Sequence, residues 1–329
     1  MNWCGRYVLV TGAGGFIGSH LTEQLVTLGA KVRAFVRYNS RNDIGLLALL
    51  PASIREQLEI SFGDLRDSEA IEQAMRGVEW VFHLGSLVSI PYSYLHPYEV
   101  IETNVLGTLN VLLAARKCNV RKIIHTSTSE VYGTAHYVPI DEKHPLQGQS
   151  PYSASKIGAD KIAESFYRSY ELPVTIIRPF NTYGPRQSTR AVIPAIICQT
   201  LSQNEVFLGA LDPERDFTYV DDTVEGFLRI AEASDAVGQE FNLGTGEEIT
   251  IGDLAEKIVS LIGREVTIRT DPDRLRPDKS EVRRLLADNR RARDFLGWMP
   301  KVSLDEGLQR TIEWFRSHIT WYQVREYQV

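Results

Sequence analysis

The fold of this chain is decided by the stretch TGAGGFIG, which spans residues 11–18. An apolar run at residues 7–10 precedes it, and apolar residues at helical spacing follow it. Gly12, Gly15 and Gly18 give the spacing G-x-x-G-x-x-G. Glycines at such positions permit a tight turn, let the backbone approach a pyrophosphate, and let the helix pack closely on the strand. The first amides of the helix then remain free for phosphate oxygens, so the stretch predicts a dinucleotide site.

Outward from this stretch, short apolar runs alternate with segments of helical periodicity. We predict strands at residues 7–10, 32–36, 58–62, 80–84, 123–126 and 174–177, and helices at residues 16–28, 68–75, 104–117 and 153–170. Strands that alternate with helices form right-handed crossovers, which give a parallel sheet with helices on both faces. The predicted fold class is therefore α/β, with a Rossmann-type doubly wound parallel sheet.

The pattern changes after Pro179, where prolines and glycines mark longer loops. We therefore expect a smaller C-terminal substrate-binding lobe beside the sheet domain. The NAD(P)-binding domain is predicted to cover residues 1–180, with the chain returning to it near residues 213–242. The lobe is predicted to comprise residues 181–212 and 243–329.

The composition is that of an ordinary globular protein, with 43% hydrophobic and 24% charged residues. A net charge of -6 argues against nucleic acid or an anionic membrane as the partner. No secretory signal is visible, and no apolar run approaches the ~18 residues of a membrane span. Cys4, Cys118 and Cys198 suit neither a disulfide framework nor a zinc site, and the 7 histidines lack metal-ligand spacing. We expect a cytoplasmic protein without a bound metal.

The residue after the second predicted strand bears on the choice between the two nicotinamide cofactors. Folds of this kind normally carry an Asp or Glu there, which binds the ribose hydroxyls of NAD. This chain instead has Arg37, whose guanidinium could pair with the 2′-phosphate of NADP. We therefore predict NADP, with NAD as the alternative. Asp64, after the third predicted strand, would accept a hydrogen bond from the adenine amino group.

A tyrosine and a lysine four residues apart, Tyr152 and Lys156, are the candidate catalytic pair. On a helix they face the same side, and a nearby ammonium favours tyrosinate and lowers the pKa of the tyrosine. Such a tyrosine can take a proton from a sugar hydroxyl while the carbon gives hydride to a nicotinamide. The pair follows the strand segment HTSTSEVYG at residues 125–133, in which Thr128 would contact the substrate oxygen.

With these motifs the chain resembles the extended short-chain dehydrogenases/reductases of the NAD-dependent epimerase/dehydratase family, from about residue 7 to residue 315. Further landmarks of the family are GDL at 63–65, NVLGT at 104–108, RPFNTYGP at 178–185, RDF at 215–217 and LGWMP at 296–300. The run HLGS at 83–86 departs from the more usual HLAA, and we expect little consequence from this change.

The resemblance implies a nucleotide-activated sugar as the substrate and a tightly bound cofactor that each turnover regenerates. It assigns cofactor contacts to Gly12, Gly15, Phe16, Ile17, Gly18, Arg37, Asp64, Leu65, Leu84 and Lys156. It assigns substrate contacts to Ser129, Asn181, Arg215 and Arg276, with the arginines on the diphosphate. It also implies a homodimer that pairs the helices predicted at 104–117 and 153–170.

Glu130 indicates which reaction of the family to expect. In the 4,6-dehydratases a Glu at this place removes the C5 proton of the sugar, whereas simple 4-epimerases usually have a small residue there. Ser129-Glu130 is similar to both the GDP-mannose 4,6-dehydratases and the N-acetylglucosamine-type dehydratases. The run SEV at 280–282 and the run YNS at 38–40 beside Arg37 are most similar to the second group, so UDP-N-acetylglucosamine is the expected substrate. We expect Glu130 to act both as the base at C5 and as the acid for the departing water. The alternative interpretation of Glu130 is a structural carboxylate that caps a backbone turn.

The expected product is a 4-keto-6-deoxy sugar nucleotide, so the net reaction is that of a lyase and belongs to polysaccharide biosynthesis. Two other enzymatic activities stay open. UDP-glucuronate decarboxylases of this family carry the same run TSEVYG, found here at 128–133, and a UDP-sugar 4-epimerase needs only the Tyr152–Lys156 pair. A nucleotide-sensing regulator on the same fold would be expected to lack that pair, which this chain keeps.

Overall fold

The computed structural model describes residues 2–322, so residues 323–329 of the predicted lobe lie outside the described part. Its strands are β1 Tyr7–Thr11, β2 Lys31–Arg37, β3 Glu59–Gly63, β4 Trp80–His83, β5 Lys122–Thr126, β6 Val174–Pro179, β7 Asn181–Tyr183, β8 Glu205–Leu208, β9 Glu214–Arg215, β10 Phe217–Tyr219, β11 Glu240–Leu243, β12 Ile249–Thr250, β13 Thr267–Thr270 and β14 Arg284–Leu285. The six strands predicted from the sequence are β1 to β6, with ends that differ by one or two residues.

The helices fill the connections between these strands. They are α1 Phe16–Thr27, α2 Ala52–Arg55, α3 Ser68–Met75, α4 Ile90–Leu95, α5 Pro97–Ile101, α6 Gly107–Lys117, α7 Pro151–Tyr170, α8 Val192–Ser202, α9 Val220–Glu232, α10 Ile251–Ile262, α11 Arg290–Leu296 and α12 Leu304–His318. The helix predicted at 104–117 begins instead with a π-helical turn, Glu102–Leu106, which leads into α6.

Seven strands form one parallel sheet in the order β11-β6-β5-β4-β1-β2-β3. From β1 the chain first adds β2 and β3 on one side and then β4, β5 and β6 on the other, so the strand order reverses between β1 and β4. This is the doubly wound α/β fold predicted from the sequence. In such sheets ligands bind outside the carboxyl ends of the strands at the reversal, which here carry the glycine loop.

Two apolar cores hold helices against the two faces of the sheet. Along β1, Val8 and Val10 belong to the core that α1 and α9 complete, and Leu9 belongs to the core with α3, α6 and α7. Successive strand residues point to opposite faces, which is why a strand buried on both sides is a continuous apolar run.

The segment 125–133 is shorter as a strand than we predicted. β5 ends at Thr126, and Ser129–Tyr132 forms a 3₁₀ turn. The side chain of Thr128 causes the change, because its Oγ1 accepts a hydrogen bond from the Glu130 amide at 3.2 Å and caps the turn. Residues 128–130 therefore lie just beyond the carboxyl end of β5.

The smaller lobe is built on short strands beyond the carboxyl ends of the main sheet. β9 pairs with β12 and β14, and β8 pairs with β13, while α8, α10 and α12 pack together around them. The chain returns to the main sheet through β10, α9 and β11, and β11 pairs in parallel with β6. The lobe therefore faces the carboxyl end of β6, after which residues 179–183 follow.

Candidate active site

The glycine loop lies at the carboxyl end of β1, beside the reversal of strand order. Gly12 has φ 71°, in the left-handed region, and a Cβ there would lie 2.8 Å from the Gly85 amide nitrogen. A Cβ on Gly18 would collide with the Gly12 carbonyl oxygen. Gly15 precedes α1 without a side-chain cap, which leaves the first amides of the helix available to an anion. The glycines thus allow backbone segments to approach closely, and the free helix amides of this cradle fit a pyrophosphate.

The loop after β2 folds back onto this cradle. The Leu46 amide donates to the Gly14 carbonyl at 3.0 Å, and a Cβ on Gly14 would lie 2.8 Å from the Ile44 carbonyl oxygen. Asn39 fixes the loop, because its side-chain oxygen accepts from the Asp43 amide at 2.9 Å. The alternation of strands and helices gave no signal for this contact.

Arg37 ends β2, and its guanidinium lies beside two carboxylates. Its Nη2 donates to Glu99 Oε1 at 3.3 Å, and its Nε lies 4.0 Å from Asp64 Oδ2. Arg66 binds both carboxylate oxygens of Asp64, and these hydrogen bonds lower the pKa of Asp64. The carboxylate of Asp64 would therefore accept from the adenine amino group while it also accepts from Arg66.

The remaining residues assigned to the cofactor surround the same cradle. Phe16 and Ile17 form the first turn of α1, and the Phe16 ring packs edge-on against the ring of His20. Leu84 follows β4, and its amide donates to the Thr11 carbonyl at 3.2 Å. Leu65 packs where a Cβ on Gly85 would come within 2.9 Å of its side chain. Gly85 leaves room for the Leu65 side chain, whereas the alanine that is usual at position 85 in the family would clash with it.

Tyr152 and Lys156 both lie in the first turns of α7 and are both buried. Ser150 is the N-cap of the helix and forms a capping box with Ser153. This capping fixes where the helix starts and hence where Tyr152 and Lys156 lie. Lys156 Nζ donates to the carbonyl of Thr126, the last residue of β5, at 2.6 Å. The structure therefore brings the lysine to the carboxyl end of the central strands.

The pKa of Tyr152 corrects one expectation from the sequence. We predicted that Lys156 lowers this pKa, whereas burial raises it, Glu130 and Asp160 raise it further, and only a hydrogen bond with Thr128 opposes them. The physical reason is that the tyrosine is desolvated and that the lysine ammonium is directed at the Thr126 carbonyl. Burial also lowers the pKa of Lys156, to about 8, and Asp160 opposes this shift.

Glu130 lies in the 3₁₀ turn after β5 and is half-buried. Its negative charge adds to the rise in the pKa of Tyr152 that burial causes, and it opposes the lowering of the pKa of Arg215 by burial, so the carboxylate acts on both the tyrosine and the lobe. Within residues 2–322, no hydrogen bond or ion pair holds that carboxylate, and the turn is capped by Thr128 instead. The alternative interpretation of Glu130 as a turn-capping carboxylate is therefore wrong.

A cleft of about 260 Å³ lies beyond the carboxyl end of β6 and contains several of the assigned substrate contacts. Arg215 and Arg276 line it, and a single oxygen of Glu281 lies 3.3 Å from Arg215 Nη2 and 3.4 Å from Arg276 Nη1. Burial lowers the pKa of Arg215. Two guanidinium groups that converge on one carboxylate oxygen form a geometry suited to a phosphate oxygen.

The side chain of Asn181 faces the same cleft. Its Oδ1 is buried and has no hydrogen-bond partner in the described part of the chain. A buried acceptor without a partner costs free energy, which a ligand donor would restore. Ser129, also assigned to the substrate, is buried within the 3₁₀ turn beside Glu130. The cleft thus combines paired cations with an unsatisfied amide oxygen.

Sequence reasoning missed two buried residues that support the tyrosine and lysine. Asn104, in the π-helical turn, donates through Nδ2 to Ser155 Oγ at 2.9 Å and accepts from the Leu87 amide at 2.8 Å. Asp160 lies one helical turn beyond Lys156 on α7. Asn104 belongs to a motif that marks the family, and the spacing of Asp160 repeats that of the Tyr152–Lys156 pair, so both had a signal in the sequence.

Between residues 2 and 322, no three His, Cys, Asp or Glu side chains are grouped so that they could hold a metal ion. In the same part of the chain, no helix is both long enough and apolar enough to span a membrane.

Comparison with known proteins gives matches over almost the whole chain. A family model described as GDP-mannose 4,6 dehydratase matches residues 9–311. A UDP-glucose 4-epimerase of Mycolicibacterium smegmatis is 35% identical to this chain, and the match covers 94% of this chain and 98% of that protein. A UDP-glucuronic acid decarboxylase of Arabidopsis thaliana is 32% identical over 95% of this chain and 70% of its own length. The dTDP-glucose 4,6-dehydratase of Streptomyces venezuelae, solved with NAD bound, superposes with a TM-score of 0.86 at 30% identity, covering 96% of this chain and 99% of that one.

Proposed function

This chain belongs to the extended short-chain dehydrogenase/reductase family of sugar-nucleotide epimerases and dehydratases, and we propose that it is a nucleotide-sugar 4,6-dehydratase. The observation that carries the proposal is the carboxylate of Glu130. It lies close enough to Tyr152 to raise the pKa of that tyrosine, and no hydrogen bond or ion pair within residues 2–322 holds it. An epimerase needs no second acid or base at this place, whereas a dehydratase needs one at C5 of the sugar.

The first half of the reaction uses the tyrosine and lysine. The glycine cradle fits a dinucleotide, and a nicotinamide cofactor bound there accepts hydride from C4 of the sugar and later returns it to C6. Tyr152 takes the proton from the C4 hydroxyl, and Thr128 shares a hydrogen bond with the tyrosine. Although the Lys156 ammonium donates to the Thr126 carbonyl, we propose that its charge, one helical turn from Tyr152, favours the tyrosinate and opposes the rise in the tyrosine pKa that burial causes. The sugar becomes a 4-ketone.

Glu130 carries out the second half. The 4-ketone acidifies the C5 hydrogen, and Glu130 removes it as a proton. The same carboxyl then gives a proton to the C6 hydroxyl, which departs as water as the C5–C6 double bond forms. Hydride would then return to C6 from the bound nicotinamide, and C5 would take a proton that Glu130 relays from solvent, while Tyr152 releases the C4 hydroxyl proton to solvent. The product is a 4-keto-6-deoxy sugar, and the net change is the loss of one water. One carboxyl between tyrosine and cleft supplies both proton transfers at C5 and C6.

The cleft in the lobe would hold the nucleoside diphosphate. Arg215 and Arg276 are placed to bind diphosphate oxygens, which would take the place of Glu281 between them, and Asn181 would satisfy its buried oxygen on the substrate. We propose UDP-N-acetylglucosamine as the substrate, on the similarity of the run SEV at 280–282 to the dehydratases that use it, since Ser129-Glu130 is shared with the GDP-mannose 4,6-dehydratases. Incubation with this and other nucleotide sugars, followed by mass spectrometry, tests the choice.

A UDP-sugar 4-epimerase is the second candidate function, because a relative of that name is 35% identical over nearly its full length. An epimerase would release the sugar with unchanged mass and an inverted C4 centre. A UDP-glucuronate decarboxylase would instead release carbon dioxide, and we assign no arginine here to a substrate carboxylate.

We propose NADP as the preferred cofactor, because Arg37 replaces the acid that would repel a 2′-phosphate. Pairing with the phosphate would replace the bond from Arg37 to Glu99. The Arg37→Ala variant should bind NADP about tenfold more weakly and NAD almost unchanged, because one charge-assisted hydrogen bond is lost. Titration calorimetry on the cofactor-free protein measures both affinities. If wild-type protein binds NAD more tightly than NADP, the proposed preference is wrong.

We also propose a homodimer. The consecutive segments α5, the π-helical turn and α6 expose apolar side chains toward solvent, among them Tyr98, Ile101, Leu106 and Leu113, and α7 exposes Tyr170. Because α5 and α6 both pack against α7, these side chains can form one apolar surface for a second copy. Light scattering should give twice the mass of the chain for the wild type and the mass of one chain for Leu113→Lys. A monomeric wild type at micromolar concentration would exclude the dimer.

A further inference from the structure

A cluster of buried charges lies directly behind the Tyr152–Lys156 pair. At its centre is Asp160, which is 1% exposed and lies one turn after Lys156 on α7. Ser127 Oγ donates to Asp160 Oδ2 at 2.7 Å, and His125 Nε2 lies 3.2 Å from Asp160 Oδ1. Both of these partners belong to β5 or to the residue just after it, so Asp160 ties α7 to the strand whose Thr126 carbonyl receives the lysine.

Arg178 from β6 completes the cluster. Its Nε and Nη2 lie 3.3 Å and 3.2 Å from Asp160 Oδ2, and its Nη1 lies 2.6 Å from Glu240 Oε2 and 3.0 Å from the hydroxyl of Tyr132. The charge of Arg178 is thus divided between two carboxylates. Lys156, which lies one helical turn before Asp160 on α7, is the second buried cation on which the charge of Asp160 acts.

Lys156 depends on this charge more than a surface lysine would. It is 4% exposed, and its Nζ donates to one backbone carbonyl, that of Thr126. Burial lowers the pKa of Lys156 and the negative charge of Asp160 raises it. Five other titratable groups in the described part of the chain lie around Lys156 and Asp160. They are Tyr152 on α7, His83 on β4, His125 on β5, Arg178 on β6 and Glu130 in the 3₁₀ turn. Burial lowers the pKa values of both histidines, so they stay neutral and add no charge near neutral pH.

We propose that Asp160 is a positioning residue for Lys156. It holds α7 in register with β5 through Ser127, and it supplies the negative charge that keeps the buried ammonium protonated at the Thr126 carbonyl. This rests on the proposed function of the Tyr152–Lys156 pair, in which the ammonium stabilises tyrosinate. Without Asp160, Lys156 would lose its proton at a lower pH and could no longer stabilise the tyrosinate.

The test is the titration of Lys156 in Asp160→Asn. Protein labelled with ¹³C at the lysine ε-carbons contains 9 lysines, and the Lys156→Met variant identifies the signal of Lys156. The midpoint should fall by about one pH unit or more in Asp160→Asn, because a neighbouring opposite charge shifts a pKa by that amount. With substrate, the alkaline limb of kcat should move down by the same amount while KM changes little. A purely structural role would reduce the folded fraction without moving either midpoint.

Glu240→Gln is the matched control. It removes the other carboxylate on Arg178 and leaves the hydrogen bonds of Asp160 in place, so the midpoint of Lys156 should fall by much less than in Asp160→Asn. Asp160→Asn should fold, because Arg178 keeps Glu240 and Tyr132 as partners. If it does not, Asp160→Asn combined with Arg178→Gln removes both buried charges, and a smaller fall of the Lys156 midpoint is expected. An unchanged midpoint in a folded variant overturns the proposal. The titration needs no substrate, so it tests the role of Asp160 even if the protein does not catalyse the proposed reaction.

Discussion

Replacing Glu130 by glutamine should stop the loss of water while oxidation at C4 continues. Glutamine keeps the shape of the side chain, but it can neither remove the C5 proton nor protonate the departing hydroxyl. General acid–base catalysis contributes about a hundred- to ten-thousand-fold to a rate, and here one carboxyl serves two steps, so we expect a loss at the upper end of that range. Mixing the enzyme with substrate should still produce the reduced cofactor, which absorbs near 340 nm. The reduced form should accumulate, because the step that consumes it is blocked.

Glu142→Gln is the control for the loss of a half-buried carboxylate. Glu142 accepts a hydrogen bond from the Asn242 amide at 2.8 Å, which a glutamine oxygen can also accept, and we assign it no part in the reaction. This variant should retain wild-type dehydration. An active Glu130→Gln enzyme would remove Glu130 from the mechanism, and failure of both variants to oxidise substrate would point to a general loss of structure.

Tyr152→Phe should abolish both halves of the reaction. It removes the group that takes the C4 hydroxyl proton, so the 4-ketone cannot form and no reduced cofactor should appear. We expect kcat to fall by about a thousand-fold or more, in line with loss of a positioned base. Binding of the cofactor to the glycine cradle should be retained, because the tyrosine hydroxyl is not part of that cradle. Single-turnover absorbance and cofactor titration measure these two properties separately.

Tyr219→Phe is the matched variant. Tyr219 is also buried, and its ring on β10 has the guanidinium of Arg310 from α12 5.7 Å from its centroid, apart from the residues that line the cleft. It should lose some stability and keep its turnover. Turnover by Tyr152→Phe within tenfold of the wild type would mean that another group removes the proton.

The sheet and its glycine loop could be predicted because their signals are local. The spacing of Gly12, Gly15 and Gly18, the apolar run of β1 and the helical periodicity of α1 all lie within one short stretch. A parallel strand buried on both faces is largely apolar, so six of the seven strands of the sheet could be predicted, whereas β11 at the sheet edge has the short run EFNL and was not. The Tyr152–Lys156 pair is equally local, because one helical turn sets its geometry.

The contacts that shape the site come from residues far apart in the chain. The oxygen of Glu281 between Arg215 and Arg276 depends on how β9 pairs with β14 in the lobe. The contact of Ile44 with Gly14 depends on how a loop folds back. No periodicity encodes such contacts, since they follow from packing of the whole lobe. The expected lowering of the pKa of Tyr152 was wrong for the same reason, because the burial that raises this pKa is not visible in the spacing.

The most direct test of the central claim is the mass of the product. Purified protein is incubated with UDP-N-acetylglucosamine, with GDP- and dTDP-activated sugars and with UDP-glucuronate, and each nucleotide sugar is analysed by mass spectrometry. A 4,6-dehydratase must release a product lighter by one water from at least one of the hexoses, and we predict that this hexose is UDP-N-acetylglucosamine. Loss of carbon dioxide from UDP-glucuronate alone, or an unchanged mass with an inverted C4 centre, would contradict the dehydratase and show that Glu130 serves another reaction.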